Sequence, residues 1–105
     1  TQGVIRITLK YLAGKEKVLT GLRRLEGKDY VFDFVFMDPP YGKELERQVL
    51  EYLASSPLIS EDTLLIVEAD LNTGFEYLES MGYECRREKI YKTNKHVFIA
   101  KGVVL

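Results

Sequence analysis

The feature that most constrains the fold is an apolar run over residues 32–37 that ends at a pair of prolines. The run contains one acidic residue, Asp33, and a polar stretch precedes it. A short apolar run between turn residues is typical of a strand buried on both faces, as in a parallel sheet that helices cover on both sides. We therefore predict a central parallel strand followed by a rigid loop.

Three helices are predicted around this strand. Apolar residues recur at helical spacing over residues 15–25 and 43–54, which predicts two amphipathic helices. A third helix is predicted from Thr73, because Glu76 follows three residues later as in a capping box. Gly82 stands where a left-handed cap would end that helix.

Four further segments are strand-like. Residues 3–12 alternate between apolar and polar side chains, which predicts a strand, although they could also be the remnant of a helix. Residues 63–67 form an aliphatic run that ends at Glu68. Two β-rich segments over residues 84–91 and 96–102 predict an antiparallel hairpin. This order predicts one α/β domain with a mostly parallel sheet and an antiparallel hairpin at its C-terminal edge.

Length and charge limit the classes of function. The chain has 105 residues and a formal net charge of −1, so it fits one domain and lacks the basic excess of a dedicated nucleic-acid binder. Basic residues do cluster near both ends, where they could meet phosphates or form a solvated face, which is the more common case. The C-terminal cluster comprises Arg86, Arg87, Lys89, Lys92 and Lys95.

Cysteine content and hydropathy predict the cellular setting. Cys85 is the only cysteine, so no internal disulfide can form. It also lacks other Cys or His residues at the spacing that a metal site requires. No apolar run approaches the ~20 residues that cross a bilayer, and the N-terminus lacks an export pattern. We expect a cytoplasmic protein with no membrane partner. The absence of a starting Met at Thr1 indicates a fragment or a processed chain.

The loop after the central strand is the first candidate for a functional site, because ligands of open α/β sheets bind beyond the carboxyl ends of the strands. Its residues are Asp38, Pro39, Pro40 and Tyr41. Two prolines fix the backbone, so the carbonyls of a stiff loop point in set directions. Asp38 and the Pro39 carbonyl could accept the hydrogens of an exocyclic amine on a base, while Tyr41 stacks on that base. A rigid turn is the competing interpretation.

The strand and loop over residues 32–41 resemble those of amino methyltransferases with a (D/N/S)PP(Y/F/W) motif, and the chain is most similar to the RsmD family. That family methylates the 2-amino group of a guanine in bacterial small-subunit ribosomal RNA. The similarity extends over about residues 32–101 and includes residues 64–68 and 89–93. This sequence departs from the family pattern at Lys92, where the family commonly has Gly.

The resemblance implies a Rossmann-like class I methyltransferase sheet, S-adenosylmethionine as the cofactor, and ribosomal RNA or the assembling small ribosomal subunit as the partner. The catalytic residues that it implies are Asp38, Pro39 and Tyr41. The substrate-binding residues are Pro40, Glu68 and Thr93. Asp38 is also expected to contact the cofactor and, after methyl transfer has begun, to remove a proton from the amine.

One departure from the family pattern concerns the cofactor. Such enzymes bind S-adenosylmethionine through a glycine-rich loop after their first strand, and no such arrangement is recognisable here. We therefore expect residues 1–105 to be the C-terminal portion of a single methyltransferase domain whose N-terminal strands are missing, and to be inactive alone. A homodimer through the open sheet edge is a further expectation.

Several candidates have equally plain structural interpretations. Glu68 could be a solvated carboxylate at the sheet rim, and Thr93 and Tyr91 could simply form the hairpin turn. His96 is interpreted as a hydrogen-bonded strand residue and is left out of the predicted site. Two alternative functions stay open, namely methylation of adenine N6 in DNA or RNA, and a non-catalytic interaction domain that has lost cofactor binding.

Overall fold

A computed structural model of the chain describes residues 4–8, 14–38 and 45–102. The elements in chain order are β1 (Val4–Thr8), α1 (Gly14–Glu26), β2 (Phe34–Asp38), α2 (Leu45–Ala54), β3 (Leu64–Asp70), a 3-10 helix (Glu76–Met81), β4 (Tyr83–Ile90) and β5 (Asn94–Lys101). The predicted α/β order is confirmed. Within the described ranges, no helix has both the length and the apolar content that a membrane span requires.

The strands form one five-stranded sheet in the order β1-β2-β3-β5-β4. β1 with β2 and β2 with β3 are parallel, whereas β3 with β5 and β5 with β4 are antiparallel. The hairpin at the C-terminal edge is confirmed, and the described strands run mostly parallel as predicted, with β1, β2, β3 and β4 in one direction, but the sheet is mixed. The reason is that β5 lies between β3 and β4 and runs against both neighbours.

The core lies on one face of the sheet. Side chains from β2 and β3 that point to this face, such as Val35, Met37 and Val67, are fully buried against α1 and α2. On the opposite face Phe36 is only half-buried and Phe34 remains 44% exposed. The prediction that β2 is buried on both faces is therefore wrong for the described residues, because their helices pack against one face.

The third helix differs from its prediction at the start and agrees at the end. It is a short 3-10 helix whose N-cap is Phe75, which makes no side-chain cap hydrogen bond, so the predicted capping box is wrong. The Thr73 amide instead donates to the Asp70 carbonyl at 3.2 Å in the preceding turn. Gly82 ends the helix with φ of 85°, and its amide donates to the Glu79 carbonyl at 3.0 Å. The left-handed cap is thus confirmed.

Replacing Gly82 by Ala is expected to lower the free energy of unfolding by about 1 kcal/mol, because a left-handed backbone is unfavourable for residues with a Cβ. No heavy atom lies within 4 Å of the position that the new Cβ would occupy, so steric overlap adds nothing. Gly21→Ala is the matched control, because Gly21 lies within α1 with equally open space and Ala favours a helix. Urea unfolding that finds Gly82→Ala as stable as the parent chain would contradict this prediction.

A buried hydroxyl holds the starts of β2 and β3 together. Thr63 donates to the Phe32 carbonyl at 2.6 Å and accepts the Ser60 amide at 2.9 Å. The Leu64 amide donates to the Asp33 carbonyl at 2.9 Å in the same region. These bonds fix the register of the two parallel strands, which sets where their carboxyl ends lie relative to each other.

Candidate active site

Three polar side chains lie in a row across the carboxyl ends of β2 and β3. Met37 of β2 pairs with Val67 of β3, so Asp38 and Glu68 follow at the same level. His96 of β5 lies directly opposite Glu68. All three side chains are half-buried on the face of the sheet that lies away from the core. The polar residues after two parallel strands therefore meet, as expected at the binding edge of an α/β sheet.

Glu68 is the centre of this row. Its side chain forms a hydrogen bond with Asp38, and its Oε1 accepts a hydrogen bond from Asn94 Nδ2 at 3.0 Å. His96 Nε2 lies 3.7 Å from the same oxygen. A hydrogen bond between two carboxyl groups requires one proton, so the pair can both accept and donate a hydrogen bond.

The pKa of Glu68 is raised above its ordinary value. The hydrogen bond with Asp38 is the largest cause, followed by burial and by the negative charge of Asp38, while His96 acts in the opposite direction. Glu68 thus holds a proton more tightly than an isolated glutamate would. When Glu68 carries a proton, it can act as a hydrogen-bond donor at the carboxyl ends of the strands.

The stability that protonated Glu68 contributes is expected to decrease as pH rises. A carboxyl whose pKa is higher in the folded than in the unfolded chain stabilises the fold below its unfolded pKa and loses that contribution above its folded pKa. Glu68→Gln removes the titration, so the variant should become steadily more stable relative to the parent chain as pH rises from about 4.3, the ordinary pKa of a glutamate, to neutral pH.

Urea unfolding of both chains across that pH interval measures this difference. Glu79→Gln is the control, because Glu79 is an exposed carboxylate on the 3-10 helix. A constant difference between parent and Glu68→Gln at every pH would show that Glu68 does not titrate against Asp38.

Aromatic rings form the walls beside the acids. The His96 ring meets the Phe36 ring edge-on at 5.8 Å between centroids and the Tyr91 ring at 4.9 Å. An open cleft of about 550 Å³ lies here, lined by Glu68, Tyr91, Lys92, Thr93, Asn94 and His96. Its size and its mixture of flat rings with carboxyl oxygens suit a planar ligand that carries hydrogen-bond donors.

The structure brings together those predicted site residues that it describes. Asp38 and Glu68 are in contact, and Thr93 lines the same cleft as Glu68. The predicted roles of Pro39, Pro40 and Tyr41 fall outside the described residues. Within residues 4–8, 14–38 and 45–102, no group of three side chains is arranged to hold a metal ion.

Two residues of the cleft were not predicted from the sequence. His96 is a strand residue, as interpreted, but its side chain points to the carboxyl pair, and Asn94 reaches Glu68 from the start of β5. The signal that could have found them is alternation. Asn94 and His96 are separated by one residue and therefore share a face, and antiparallel pairing with β3 puts that face beside Glu68.

Comparison with known sequences gives the family. A family model described as "Conserved hypothetical protein 95" matches residues 6–100, which includes β2, β3 and β4 and most of the residues of β1 and β5. The chain belongs to this family. A curated relative, an uncharacterized methylase of Rickettsia prowazekii, is 29% identical over 65 residues. That match covers 62% of this chain and 27% of the relative, so the chain spans only part of the relative's length.

Solved structures of similar fold agree with this assignment. A conserved hypothetical protein of Streptococcus pyogenes matches with a TM-score of 0.65 and 23% identity, over 95% of this chain and 71% of its own. A protein of Haemophilus influenzae, provisionally named a methylase, matches with a TM-score of 0.60 and 16% identity, over 93% and 72% of the two chains. These similarities show an α/β fold of the class I methyltransferase type.

Proposed function

We propose that this family member is an S-adenosylmethionine-dependent N-methyltransferase that acts on the 2-amino group of guanine in small-subunit ribosomal RNA. The observation that carries the proposal is the hydrogen-bonded pair of Asp38 and Glu68 beside an aromatic-walled cleft, at the carboxyl ends of adjacent parallel strands. The relatives named as methylases support the methyl-transfer part. The resemblance of residues 32–41 to amino methyltransferases supports an amine as the acceptor.

Asp38 has the chemistry that methylation of an aromatic amine requires. The nitrogen lone pair is delocalised into the base, so acceptors on the amine hydrogens must favour the pyramidal geometry needed for attack. A carboxylate at Asp38 accepts one such hydrogen, and it receives the released proton after the nitrogen–carbon bond has formed. When Glu68 is protonated, its carboxyl group can donate a hydrogen bond to a ring nitrogen next to the amine.

The described side chains suit one end of the cofactor. When bound, S-adenosylmethionine supplies a methyl group on a positively charged sulfur, and the carboxylate of Asp38 favours a neighbouring cation. Residues at the adenosine end are not assigned, because the glycines of the described ranges form no glycine-rich loop between a strand and a helix. Asp38 is thus the residue that we place between cofactor and acceptor.

Transfer of a labelled methyl group tests this proposal. Because residues 1–105 alone are expected to be inactive, the test uses the complete methyltransferase domain that contains them. This domain is incubated with labelled S-adenosylmethionine and single-stranded oligonucleotides of small-subunit ribosomal RNA, and the nucleosides are identified by mass spectrometry after digestion. We expect N2-methylguanosine, and no product when inosine, which lacks the 2-amino group, replaces guanosine. N6-methyladenosine would overturn the guanine assignment. Absence of transfer to both RNA and DNA would contradict the methyltransferase assignment.

A further inference from the structure

The structure divides the C-terminal basic cluster into two kinds of residue. Lys95 is buried and its Nζ lies 3.6 Å from Glu88 Oε1, while Arg86 Nε lies 3.8 Å from Glu84 Oε1. These two cations are therefore partly neutralised within the hairpin. Arg87, Lys89 and Lys92 are exposed and behave differently.

Arg87 and Lys89 lie on the same face of the sheet as the carboxyl pair. Arg87 pairs with Phe98 across β4 and β5, and Lys89 pairs with His96, which itself lies opposite Glu68. Directly opposed residues of antiparallel strands point to the same face. Two strand spacings, about 10 Å, separate Lys89 from Glu68. Within the described ranges, no carboxylate forms an ion pair with either cation.

Aromatic rings alternate with these cations. The Arg87 guanidinium carbon lies 5.8 Å from the centroid of the Phe98 ring, and Lys89 Nζ lies 5.4 Å from that of Tyr91. Tyr91 is 39% exposed, and it also lines the cleft together with Lys92. Cations along a surface with exposed aromatic rings form the combination that holds single-stranded nucleic acid, because phosphates meet the charges and bases stack on the rings.

We propose that Arg87, Lys89, Tyr91 and Lys92, here called the hairpin strip, form the docking surface for single-stranded RNA that flanks the target nucleotide. This inference rests on the proposed function for the identity of the ligand. The strip is continuous with the cleft through Tyr91 and Lys92. The chain has a net charge of −1, but the strip provides a local positive surface. This surface offsets the repulsion that a polyanion meets when it approaches the two carboxyl groups.

Binding of a labelled single-stranded RNA oligonucleotide to the full chain, followed by fluorescence anisotropy, tests the hairpin strip without requiring catalysis. The double variant Arg87→Ser with Lys89→Ser should bind about tenfold more weakly than the parent chain at about 0.1 M salt. The slope of log affinity against log salt should decrease by about 1.4, since each phosphate contact of a single strand contributes about 0.7. Arg87→Lys with Lys89→Arg keeps both charges and should bind within about twofold of the parent.

Arg86→Ser is the matched control, because it removes an exposed cation from the same strand that already meets Glu84. Equal losses in Arg86→Ser and in the double variant would overturn the hairpin strip, as would unchanged affinity in the double variant or no RNA binding by the parent chain. Thermal unfolding of each variant confirms that the exposed substitutions leave the fold intact.

The same variants separate this inference from the proposed function. If the hairpin strip docks RNA, the double variant, placed in the complete methyltransferase domain, raises KM for RNA and leaves kcat near that of the unsubstituted domain. RNA binding through the strip without methyl transfer would support docking and contradict the proposed activity. Methyl transfer with an unchanged KM in the double variant would support the activity and overturn docking.

Discussion

Asp38→Ala is expected to lower the rate of methyl transfer by about 10²–10³-fold, the range for loss of a positioned proton acceptor. The substitution removes the carboxylate that we place beside the amine, and it removes the hydrogen bond between Glu68 and Asp38. Because this carboxylate favours the amine geometry needed for attack and receives the proton after the new bond has formed, we expect the loss in kcat more than in KM. Single-turnover transfer from labelled S-adenosylmethionine, catalysed by the complete methyltransferase domain that contains this chain, measures the effect.

Two further variants define what the carboxylate at position 38 does. Asp38→Asn keeps an oxygen acceptor but is a poor proton acceptor, so its rate should lie between those of the parent chain and Asp38→Ala. Asp62→Ala removes an exposed carboxylate in the turn before β3, at the opposite end of the strand from Glu68, and should change the rate by less than about twofold. Equal rates for Asp38→Ala and Asp62→Ala would mean that Asp38 does not take part in the reaction.

The part of the fold that the sequence predicts is the part that local patterns determine. Helical spacing over residues 15–25 and 43–54 and the β-rich hairpin segments correspond to α1, α2, β4 and β5. The position of β5 between β3 and β4 could not be predicted, because it depends on which strand edge remains free after the sheet has formed. The capping box failed for a related reason, since the turn at Asp70 engages the Thr73 amide.

The site divides in the same way. Asp38 and Glu68 could be predicted as site residues because each follows a strand whose sequence predicts a parallel sheet. The carboxyl ends of neighbouring parallel strands lie side by side, which brings these two residues together. Asn94 and His96 reach the same place from an antiparallel strand, so their contribution depends on pairing register between β3 and β5. The pairing register depends on two segments that are far apart in the chain. The hydrophobic periodicity of one segment therefore does not predict it.

Thr63→Val is expected to lower the free energy of unfolding by about 2–4 kcal/mol, although Val has nearly the same shape. The Thr63 hydroxyl is buried, with 1% exposure of the residue, and it both donates to the Phe32 carbonyl and accepts the Ser60 amide. Loss of a partner for a buried polar group costs about 1–3 kcal/mol, and the substitution removes a partner from one buried carbonyl and one partly buried amide. Urea unfolding measures the loss.

Thr63→Ser is the matched control, because it keeps the hydroxyl and removes only a methyl group, which should cost about 1 kcal/mol. If the Val variant proves as stable as the Ser variant, the hydrogen bonds do not carry the stability that we assign to them. The comparison also bears on the site. Thr63 joins the starts of β2 and β3, and a parallel pair with a fixed start has a fixed end. The contact between Asp38 and Glu68 therefore depends on a hydroxyl at the opposite ends of the two strands. If the register of β2 and β3 shifts in Thr63→Val, the pH dependence of stability that Glu68 confers on the parent chain should become weaker.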